Sequence, residues 1–372
     1  MNIAIVGAGI GGLTTALFLE SAGHTVEIYE KAGEIKPVGA GIILAHNAMQ
    51  VYDKLGLKNE ISYLGHPLTS INTVTPTFRL ITKVSTAYFD KQCAVQSIAI
   101  HRGVLQGVLI DHLSSATLHL NKELVDITDG DSVSLTFSDG SEAHADLVIA
   151  ADGIRSVIRN ALFAKSVIRH ARQIVFRGIV KFQLPKKYTH QLNEAWGAGS
   201  RFGFVQISQD QIYWYALKNM NPAHEERSLK DIFSGYAPVV TDIISRMNVN
   251  KILQHDMEDL QPIRSWVRKR VCLLGDAAHA TTPNMGQGAC QAIEDAYALS
   301  ECLKHETLES ALQEYERLRK PKANYITNMS WMIGKVAQLN NPLLSRLRNF
   351  IMRLTPERLS QRQLAKVVKL SE

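Results

Sequence analysis

The sequence has few of the features that mark disulfide-rich, metal-binding or low-complexity chains. Its 372 residues include four cysteines, and no two of them form a CxxC pair. A disulfide framework is therefore not expected in a chain of this length. The 13 histidines include no HExxH pattern, so nothing indicates a zinc site. Glycine (24) and proline (11) are too few for a collagen-like or low-complexity chain.

The charge balance is only mildly basic, with 41 Lys and Arg against 35 Asp and Glu, or +6 with His neutral. Much of the excess lies in the last third, without an aromatic-rich RNA-binding stretch, so a nucleic acid partner is not expected. A solvated surface that attracts small anions is the simpler interpretation. Apolar residues (45%) and charged residues (20%) are those of a globular protein, and the length predicts two or three structural units.

Long charge-free runs are also scarce, and the first of them, residues 3–19, is not a convincing membrane span. It contains four glycines, and it has neither a basic leader nor a cleavage-site pattern. A buried strand followed by a buried helix fits it better. We therefore expect a soluble cytoplasmic protein by default.

The first 30 residues predict a β–α–β unit with a nucleotide-binding turn. The strand Ile3–Val6 is followed by the helix Leu13–Ala22, which ends at Gly23, and by the strand Thr25–Tyr29. Between the first strand and the helix stands Gly7-Ala8-Gly9-Ile10-Gly11-Gly12, which satisfies GxGxxG. Helix N–H groups beside such a turn can bind phosphate. The turn could instead serve packing alone.

Glu30 stands 18 residues beyond Gly12, at the end of the second strand. A carboxylate there can accept hydrogen bonds from ribose hydroxyls and would repel a 2′-phosphate. This favours NAD, or the adenosine half of FAD, over NADP at this turn. Lys31 is assigned to the same site.

A second motif separates FAD from NAD. The strand Val271–Leu274 ends in Gly275-Asp276-Ala277-Ala278-His279, and Pro283 and Gly286-Gln287-Gly288 follow at a helix start. The Asp276 carboxylate can accept from the polyol hydroxyls that FAD has and NAD lacks. The Gly286–Gly288 backbone can lie against a flat ring, and the helix dipole favours negative charge on a reduced flavin. An ordinary strand-to-helix turn is the alternative.

The rest of the chain predicts an α/β protein with a β-rich insert. Alternating strands occupy residues 68–100, residues 171–260 are β-rich and aromatic, and a helix is expected over Leu229–Arg246. We predict an FAD-binding domain formed by residues 1–68, 96–170 and 260–332. An antiparallel β-sheet substrate domain is predicted from residues 69–95 and 171–259, followed by a helical tail over 333–372.

Three motifs in this order resemble those of the FAD-dependent aromatic hydroxylases, the flavoprotein monooxygenases related to p-hydroxybenzoate hydroxylase. They are the GxGxxG turn with Glu30, Ala151-Asp152-Gly153 with Arg155-Ser156, and Gly275–His279 with Pro283 and Gly286-Gln287-Gly288. The resemblance covers about half of the chain. It implies a glutathione-reductase-type FAD-binding fold, with Asp152 and Gly153 serving FAD and the nicotinamide cofactor. It further implies that Arg102 contacts the pyrophosphate region and that Gly39-Ala40-Gly41 lies near the isoalloxazine ring.

The resemblance also implies the chemistry. NADH or NADPH would reduce FAD, and O2 would form a flavin C4a-hydroperoxide that hydroxylates a small aromatic or heteroaromatic compound. No second nucleotide-binding fingerprint is visible, in line with a family that lacks a separate nicotinamide domain. The WxWxIP run of related halogenases is absent. No side chain is assigned as catalytic, because the flavin carries the reaction.

Substrate contacts are expected on the β-rich insert. Arg177 and Arg201 with Tyr213 and Tyr215 would suit a flat, electron-rich or anionic ring, although such residues are also common in half-buried sheets. The basic tail from Asn340 onwards could lie on a membrane, but packing across the two domains is favoured. An FAD oxidase or reductase, or a flavin-binding protein without turnover, remains an alternative, and the chain is expected to be a monomer or homodimer.

Overall fold

The computed structural model describes residues 1–35, 40–220, 228–305 and 307–371, with the backbone alone at residues 305 and 357–360. In chain order the strands are β1 Asn2–Val6, β2 Thr25–Tyr29, β3 Gly41–Leu44, β4 His66–Leu68, β5 Ser70–Val74, β6 Leu80–Ser85, β7 Ser97–His101, β8 Thr117–His119, β9 Leu124–Asp129, β10 Val133–Phe137, β11 Glu142–Ala145, β12 Leu147–Ala150, β13 Ile168–Lys181, β14 Gln191–Trp196, β15 Ser200–Gln206, β16 Gln211–Asn219, β17 Leu253–Leu260, β18 Val267–Arg268 and β19 Val271–Leu273. The helices are α1 Ile10–Ser21, α2 His46–Lys54, α3 Lys58–Leu64, α4 Ala87–Cys93, α5 Arg102–Asp111, α6 Val157–Leu162, α7 Leu229–Ile232, α8 Pro238–Ser245, α9 Asp276–His279, α10 Gly288–His305, α11 Leu308–Ala337, α12 Pro342–Leu354 and α13 Glu357–Val368.

The first sheet is the nucleotide-binding sheet that the β–α–β pattern predicts. Its six strands run in the order β18-β19-β12-β1-β2-β8, and all pairs are parallel except β18 with β19. β1, β12 and β19 are buried nearly throughout, because they share one hydrophobic core with α1, α10 and the small antiparallel sheet β9–β11. Their carboxyl ends therefore lie side by side, which is the edge at which parallel sheets bind ligands.

The second sheet is the β-rich insert. Its seven strands run in the order β17-β13-β16-β15-β14-β5-β6, and the pairs are antiparallel except β14 with β5. One face packs against α7 and α8 through a cluster that includes Phe202, Trp214 and Phe233. β5 and β6 come from residues 69–95. The predicted assignment of these residues to the substrate domain depends on the pairing of β5 with β14. The domain boundaries themselves stay a prediction.

The helix expected over Leu229–Arg246 is divided in two, so that expectation is wrong. α7 ends at Ile232, and α8 begins at Pro238. Proline has no N–H and disfavours a helical conformation at the residue before it. Ala237 is accordingly extended, with φ −56° and ψ 151°, and its N–H donates to Pro76 O at 2.8 Å.

The basic tail forms two helices. α12 packs beside β6, and α13 lies against β6 and the start of α2, where Gln50 Nε2 donates to Val368 O at 3.0 Å. The tail thereby connects the second sheet to the nucleotide-binding domain. Among the residues that the structure describes, no helix is both long enough and apolar enough to cross a bilayer.

A buried ionic network joins α10, α11 and the tail. Arg319 Nε donates to Asp295 Oδ1 at 2.7 Å and Arg319 Nη1 to Glu294, and all three side chains have no exposed surface. Lys322 Nζ also donates to Glu294 at 2.8 Å, and His279 Nε2 lies 2.6 Å from Asp295 Oδ2. Burial would raise the pKa of Asp295, but His279 and Arg319 outweigh it and lower that pKa to about 2. Both carboxylates therefore stay charged inside the core.

We predict that Arg319→Met destabilises the protein by roughly 3–5 kcal/mol, because it removes the cation that the two buried carboxylates share. The measurement is urea unfolding of the wild type and the variant at pH 7. Arg317→Met is the matched control, because the ion pair of Arg317 with Glu314 is exposed and should contribute less than about 1 kcal/mol.

Equal stability of the two variants would contradict this prediction. The pH dependence gives a second check. The folded-state pKa of Asp295 is depressed, so its contribution is present above its unfolded pKa of about 4 and is lost as the pH falls towards 2. Arg319→Met should weaken that dependence.

Candidate active site

One large cavity of about 660 Å³ lies between the carboxyl edge of the first sheet and one face of the second. Both groups of residues predicted from the sequence line it. The predicted cofactor-binding residues in its wall are Gly7, Gly9, Gly11, Gly12, Glu30, Lys31, Ala40, Gly41, Arg102, Asp152, Gly153, Asp276, Pro283, Gly286, Gln287 and Gly288. The predicted substrate-binding residues in its wall are Arg177, Arg201, Tyr213 and Tyr215. Gly39 lies outside the described residues.

The glycine turn after β1 is shaped for close approach. Gly7 has φ +108°, a conformation that favours glycine, and a Cβ on Gly12 would lie 2.0 Å from Gly7 O. A Cβ on Gly9 would meet no atom within 4 Å. The turn is therefore tightly packed on its inner side and open on the cavity side, as a bound pyrophosphate requires.

Glu30 holds this turn in place. Its Oε2 accepts from Ala8 N at 2.8 Å, and its Oε1 accepts from Ala32 N at 2.9 Å. Gln106 Nε2 donates to Ala8 O at 2.8 Å from the other side. The sequence indicates a ribose-binding carboxylate, and the structure adds a second role in fixing the loop. Each carboxylate oxygen keeps a lone pair for a further donor.

The second motif forms the opposite end of the cofactor region. Asp276, at the start of α9, is exposed within an otherwise buried stretch and lines the cavity. Gly286 has φ +63° and ends the short turn that begins at Pro283. Gln287 is buried, and its Oε1 accepts from Asn47 at 3.2 Å and from Gln291 at 3.0 Å. The side chain of Gln287 therefore positions the loop, and the backbone beside it remains available to a flat ring.

Asp152 has a structural contact of its own. It accepts from Val157 N at 2.8 Å at the start of α6, and burial raises its pKa. Its Oδ1 is buried without a hydrogen-bond partner among the described residues. Arg102 is exposed at the start of α5, where its N–H donates to Ala40 O at 3.2 Å. The Asp152 Oδ1 atom and the Arg102 guanidinium can therefore both bind a ligand in the cavity.

The predicted substrate residues lie on one face of the second sheet. Arg177 is opposite Tyr215, and Tyr215 is opposite Gly203. A Cβ on Gly203 would lie 2.1 Å from the Tyr215 ring, so glycine leaves room for that ring. Tyr213 shares the cavity face, whereas Trp214 packs on the other side. This is the alternation expected from the sequence.

Both tyrosines are neutral donors at pH 7. Burial raises the pKa of Tyr213 to about 12, although Arg177 and Arg102 oppose it. Burial and the nearby Glu194 raise the pKa of Tyr215 well above its ordinary value. The Tyr213 hydroxyl can therefore donate a hydrogen bond to a carbonyl or ring nitrogen of a ligand, whereas the Tyr215 hydroxyl already donates to Glu194. Arg177 Nε is buried and has no partner among the described residues.

Arg201 is only 1% exposed and is held on three sides. Its Nε donates to Gln338 Oε1 at 2.9 Å, its Nη1 to Glu194 Oε1 at 3.2 Å, and its Nη2 to Asn284 Oδ1 at 2.7 Å. Sequence reasoning missed these three partners, which come from β14, α11 and the turn before α10. The cluster joins the second sheet to the loop that carries Pro283 and Gly286.

The far end of the cavity is apolar. Ile71 on β5 is directly opposite Leu192 on β14, and both line the cavity. Leu68 joins Leu192 in one hydrophobic cluster with Tyr213 and Tyr215. The tail contributes two more lining side chains from α13, Leu364 and Val368. The sequence did not place the tail at the site, because the contact joins residues about 300 positions apart.

His46 lines the cavity beside this apolar end, and two hydrogen bonds hold its ring in place. Its Nε2 lies 2.8 Å from Asp90 Oδ1, and Ser97 Oγ lies 3.1 Å from its Nδ1. Burial lowers the pKa of His46, against the opposing effect of Asp90. Because both ring nitrogens are engaged within the protein, His46 positions its neighbours rather than offering a free polar group.

The comparisons with known proteins agree on one family. Residues 1–330 match the family described as FAD binding domain. The chain is 34% identical to an aurachin C monooxygenase/isomerase of Stigmatella aurantiaca, over 95% of this chain and 94% of the relative. It is 32% identical to a 2-heptyl-3-hydroxy-4(1H)-quinolone synthase of Pseudomonas aeruginosa, over 96% and 94%.

The chain belongs to the FAD-dependent aromatic monooxygenases. Its fold is similar to that of Klebsiella pneumoniae HpxO complexed with FAD and uric acid, with a TM-score of 0.89, 26% identity and coverage of 99% and 96%. The predicted family, fold class, enzyme class and FAD cofactor are thereby confirmed. The roles assigned to individual residues stay predictions.

The cavity of this flavoprotein fits its cofactor. The open Gly9 backbone, the exposed Asp276 carboxylate and the Gly286 turn line one continuous space. The unpartnered Asp152 Oδ1 offers a further polar contact. The cavity wall therefore contains the backbone and side-chain groups that the two motifs predict for binding the coenzyme.

We predict that Gly12→Ala weakens FAD binding at least tenfold, because the new Cβ displaces Gly7 O from the turn. The measurement is flavin content after purification, followed by FAD titration of the apoprotein. Gly107→Ala is the matched control, since a Cβ there meets nothing within 4 Å and alanine favours the helix. Normal FAD affinity in Gly12→Ala would show that the turn does not hold the coenzyme.

Proposed function

We propose that this flavoprotein hydroxylates a flat nitrogen heteroaromatic compound that carries an apolar side chain, a substrate of the substituted quinolone class. NADH or NADPH supplies two electrons, one atom of O2 enters a ring C–H bond as a hydroxyl group, and the other leaves as water. Bound FAD supplies the electron transfer and oxygen activation that side chains do not provide. The observation that carries the proposal is the division of the cavity into a polar and an apolar end.

The polar end suits a ring with carbonyl and N–H groups. The Tyr213 hydroxyl and the unpartnered Arg177 Nε are donors for a ring carbonyl. Glu194 and Asn284, held by Arg201, offer acceptors for a ring N–H. Donors and acceptors on a rigid sheet would fix the ring in one orientation, which hydroxylation at a single carbon requires.

The apolar end suits an alkyl substituent. Ile71, Leu192 and Leu364 are half-buried in the cavity wall, and burying such side chains against an alkyl chain contributes roughly 0.8 kcal/mol per CH2 group. The tail lines this end with Leu364 and Val368, and such apolar side chains would help to keep water from the site. The similarity to the Pseudomonas 2-heptyl-3-hydroxy-4(1H)-quinolone synthase supports this ligand class.

The proposal also sets the roles of the remaining predicted residues. The Gly7–Gly12 turn, Glu30, Lys31 and Arg102 would bind the adenosine diphosphate half of FAD, and Asp276 would bind its polyol. Pro283 and Gly286–Gly288 would support the ring from one side. A monomer or homodimer in the cytoplasm stays part of the proposal.

We predict that the purified, flavin-loaded protein oxidises NADH or NADPH at least tenfold faster when a 2-alkyl-4(1H)-quinolone is present. The product should gain one oxygen atom, a mass increase of about 16, because one atom of O2 is inserted. The measurements are aerobic oxidation of the reductant at 340 nm and mass spectrometry of the extract. A mass change of 2 would instead identify an oxidase or reductase, and no stimulation by any quinolone would refute the substrate class.

We predict that Leu192→Trp raises KM for a 2-heptyl quinolone at least tenfold and leaves KM for the 2-methyl analogue within about twofold. The added ring volume would fill the apolar end, where only the long chain reaches. Steady-state kinetics with the two substrates on the same variant make the short one the internal control. An equal change in both KM values would place the alkyl chain elsewhere.

A further inference from the structure

Helix α12 exposes a continuous apolar stripe. Its large side chains Leu343, Leu344, Leu347, Phe350, Ile351 and Leu354 are each 49% to 71% exposed. At 100° per residue, the recurrence at i, i+4, i+7, i+8 and i+11 from Leu343 places them on one side of the helix. Isolated exposed leucines are ordinary, but six large apolar side chains on a 13-residue helix are a docking surface.

The opposite side of α12 is packed and anchored. Arg348 is 5% exposed, and its Nη1 donates to Ala337 O at 2.7 Å, at the carboxyl end of α11. Its guanidinium also lies 5.1 Å from the centre of the Trp196 ring. Ser345 Oγ donates to Leu339 O at 3.1 Å on the same side. The helix is therefore fixed to the body of the protein by its polar side, and the apolar stripe is left facing outwards.

The net positive charge of the chain is concentrated in the tail that carries this stripe. Residues 340–372 contain seven Lys and Arg and two Glu, a net charge of +5, whereas the whole chain carries +6. Arg346 and Arg353 are exposed along α12, and Arg362, Lys366 and Lys369 are exposed on and just after α13. An apolar stripe flanked by cations is complementary to an anionic lipid surface, where each nearby cation contributes about 1 kcal/mol.

A second copy of the chain fits this surface less well. α12 is 13 residues, or about 20 Å, long and its face is about 10 Å wide, which is smaller than the roughly 800 Å² per partner of a stable interface. Two tails of net charge +5 would also repel each other across such a contact.

The helix that follows α12 in the chain lines the active-site cavity. Arg353 Nε donates to Leu80 O at 3.1 Å, which fixes the end of α12 to β6. The chain then continues into α13, whose Leu364 and Val368 line the apolar end of the cavity. A surface that touches α12 is therefore close to the elements that close the cavity.

We propose that α12 docks this protein on the surface of an anionic lipid bilayer, with its axis in the plane of the membrane and its apolar stripe at the boundary between headgroups and acyl chains. The arrangement needs no spanning segment. The proposal rests on the exposed stripe and its charge, and it holds whatever compound the enzyme oxidises.

The test is co-sedimentation of the flavin-loaded, full-length protein with vesicles. We expect binding to vesicles of phosphatidylcholine with about 30% phosphatidylglycerol, and at least tenfold weaker binding to phosphatidylcholine alone. Salt at about 0.5 M should weaken binding to the anionic vesicles, because it screens the cations. No measurable binding to anionic vesicles would overturn the proposal.

Two double variants distinguish binding through the stripe from non-specific binding of other exposed apolar side chains to the vesicles. Leu347→Asp with Phe350→Asp should weaken binding to anionic vesicles at least tenfold and leave the flavin spectrum and reductant oxidation unchanged. Tyr63→Asp with Val249→Asp is the matched control, because these side chains are 87% and 78% exposed elsewhere on the surface. If the stripe variant loses flavin, the milder Leu343→Ser with Leu354→Ser replaces it.

Two results would overturn the assignment of this surface to lipid. One is an equal loss of vesicle binding in the stripe variant and the control. The other is a wild-type dimer, seen by analytical ultracentrifugation without lipid, that the stripe variant converts to a monomer, since that result assigns the stripe to a second copy.

Discussion

The active site depends on the buried pairing of Arg319 with Glu294 and Asp295. The two carboxylates lie on α10, the helix that begins at the Gly286–Gly288 loop, and Asp295 also accepts from Gly275 N at 3.0 Å. The same network thus holds the strand end that carries Asp276 and the helix start proposed to support the flavin ring. Buried charges of this kind stabilise little beyond their desolvation cost, but they define one arrangement. Glu294 also accepts from Ser371 N at 3.1 Å, so the tail is held by the same group.

Two sheets form the cavity, and each contributes a different kind of binding group. The parallel sheet presents strand ends, where backbone N–H groups and carboxylates converge on a coenzyme. The second sheet presents a face, where alternate side chains on neighbouring strands form rows, and such a face can hold a flat ring. Arg201 joins the second sheet to the turn before α10 through Asn284, and β3 also meets the second sheet, since a Cβ on Gly41 would lie 2.4 Å from Tyr213 Cβ. The rows on the sheet and the coenzyme loops therefore keep a fixed distance.

The parts of the site that follow from local sequence were predictable, and those formed by distant contacts were not. The Gly12 turn, Glu30 and Asp276 each lie at a strand end, and their spacing along the chain indicates their place. Tyr213 and Tyr215 follow from strand alternation. Glu194 and Asn284 have ordinary sequence surroundings, and only the meeting of β14 with the turn before α10 brings them to Arg201. Arg319 reads as a solvated helix cation beside Arg317 and Lys320, yet it is fully buried. Leu364 and Val368 line the cavity only because the tail folds back against β6 and α2.

The order of strands in the first sheet has a consequence for biosynthesis. β1 stands between β2 and β12, and β19 completes the neighbourhood only at residues 271–273. During translation, β1 therefore gains its second neighbour only when β12 emerges at residues 147–150, and β12 gains β19 only at residues 271–273. Non-local pairing of this kind slows folding and leaves apolar strand edges open in the meantime. Growth temperature and chaperone supply should accordingly govern the yield of native protein more than the affinity of the finished site does.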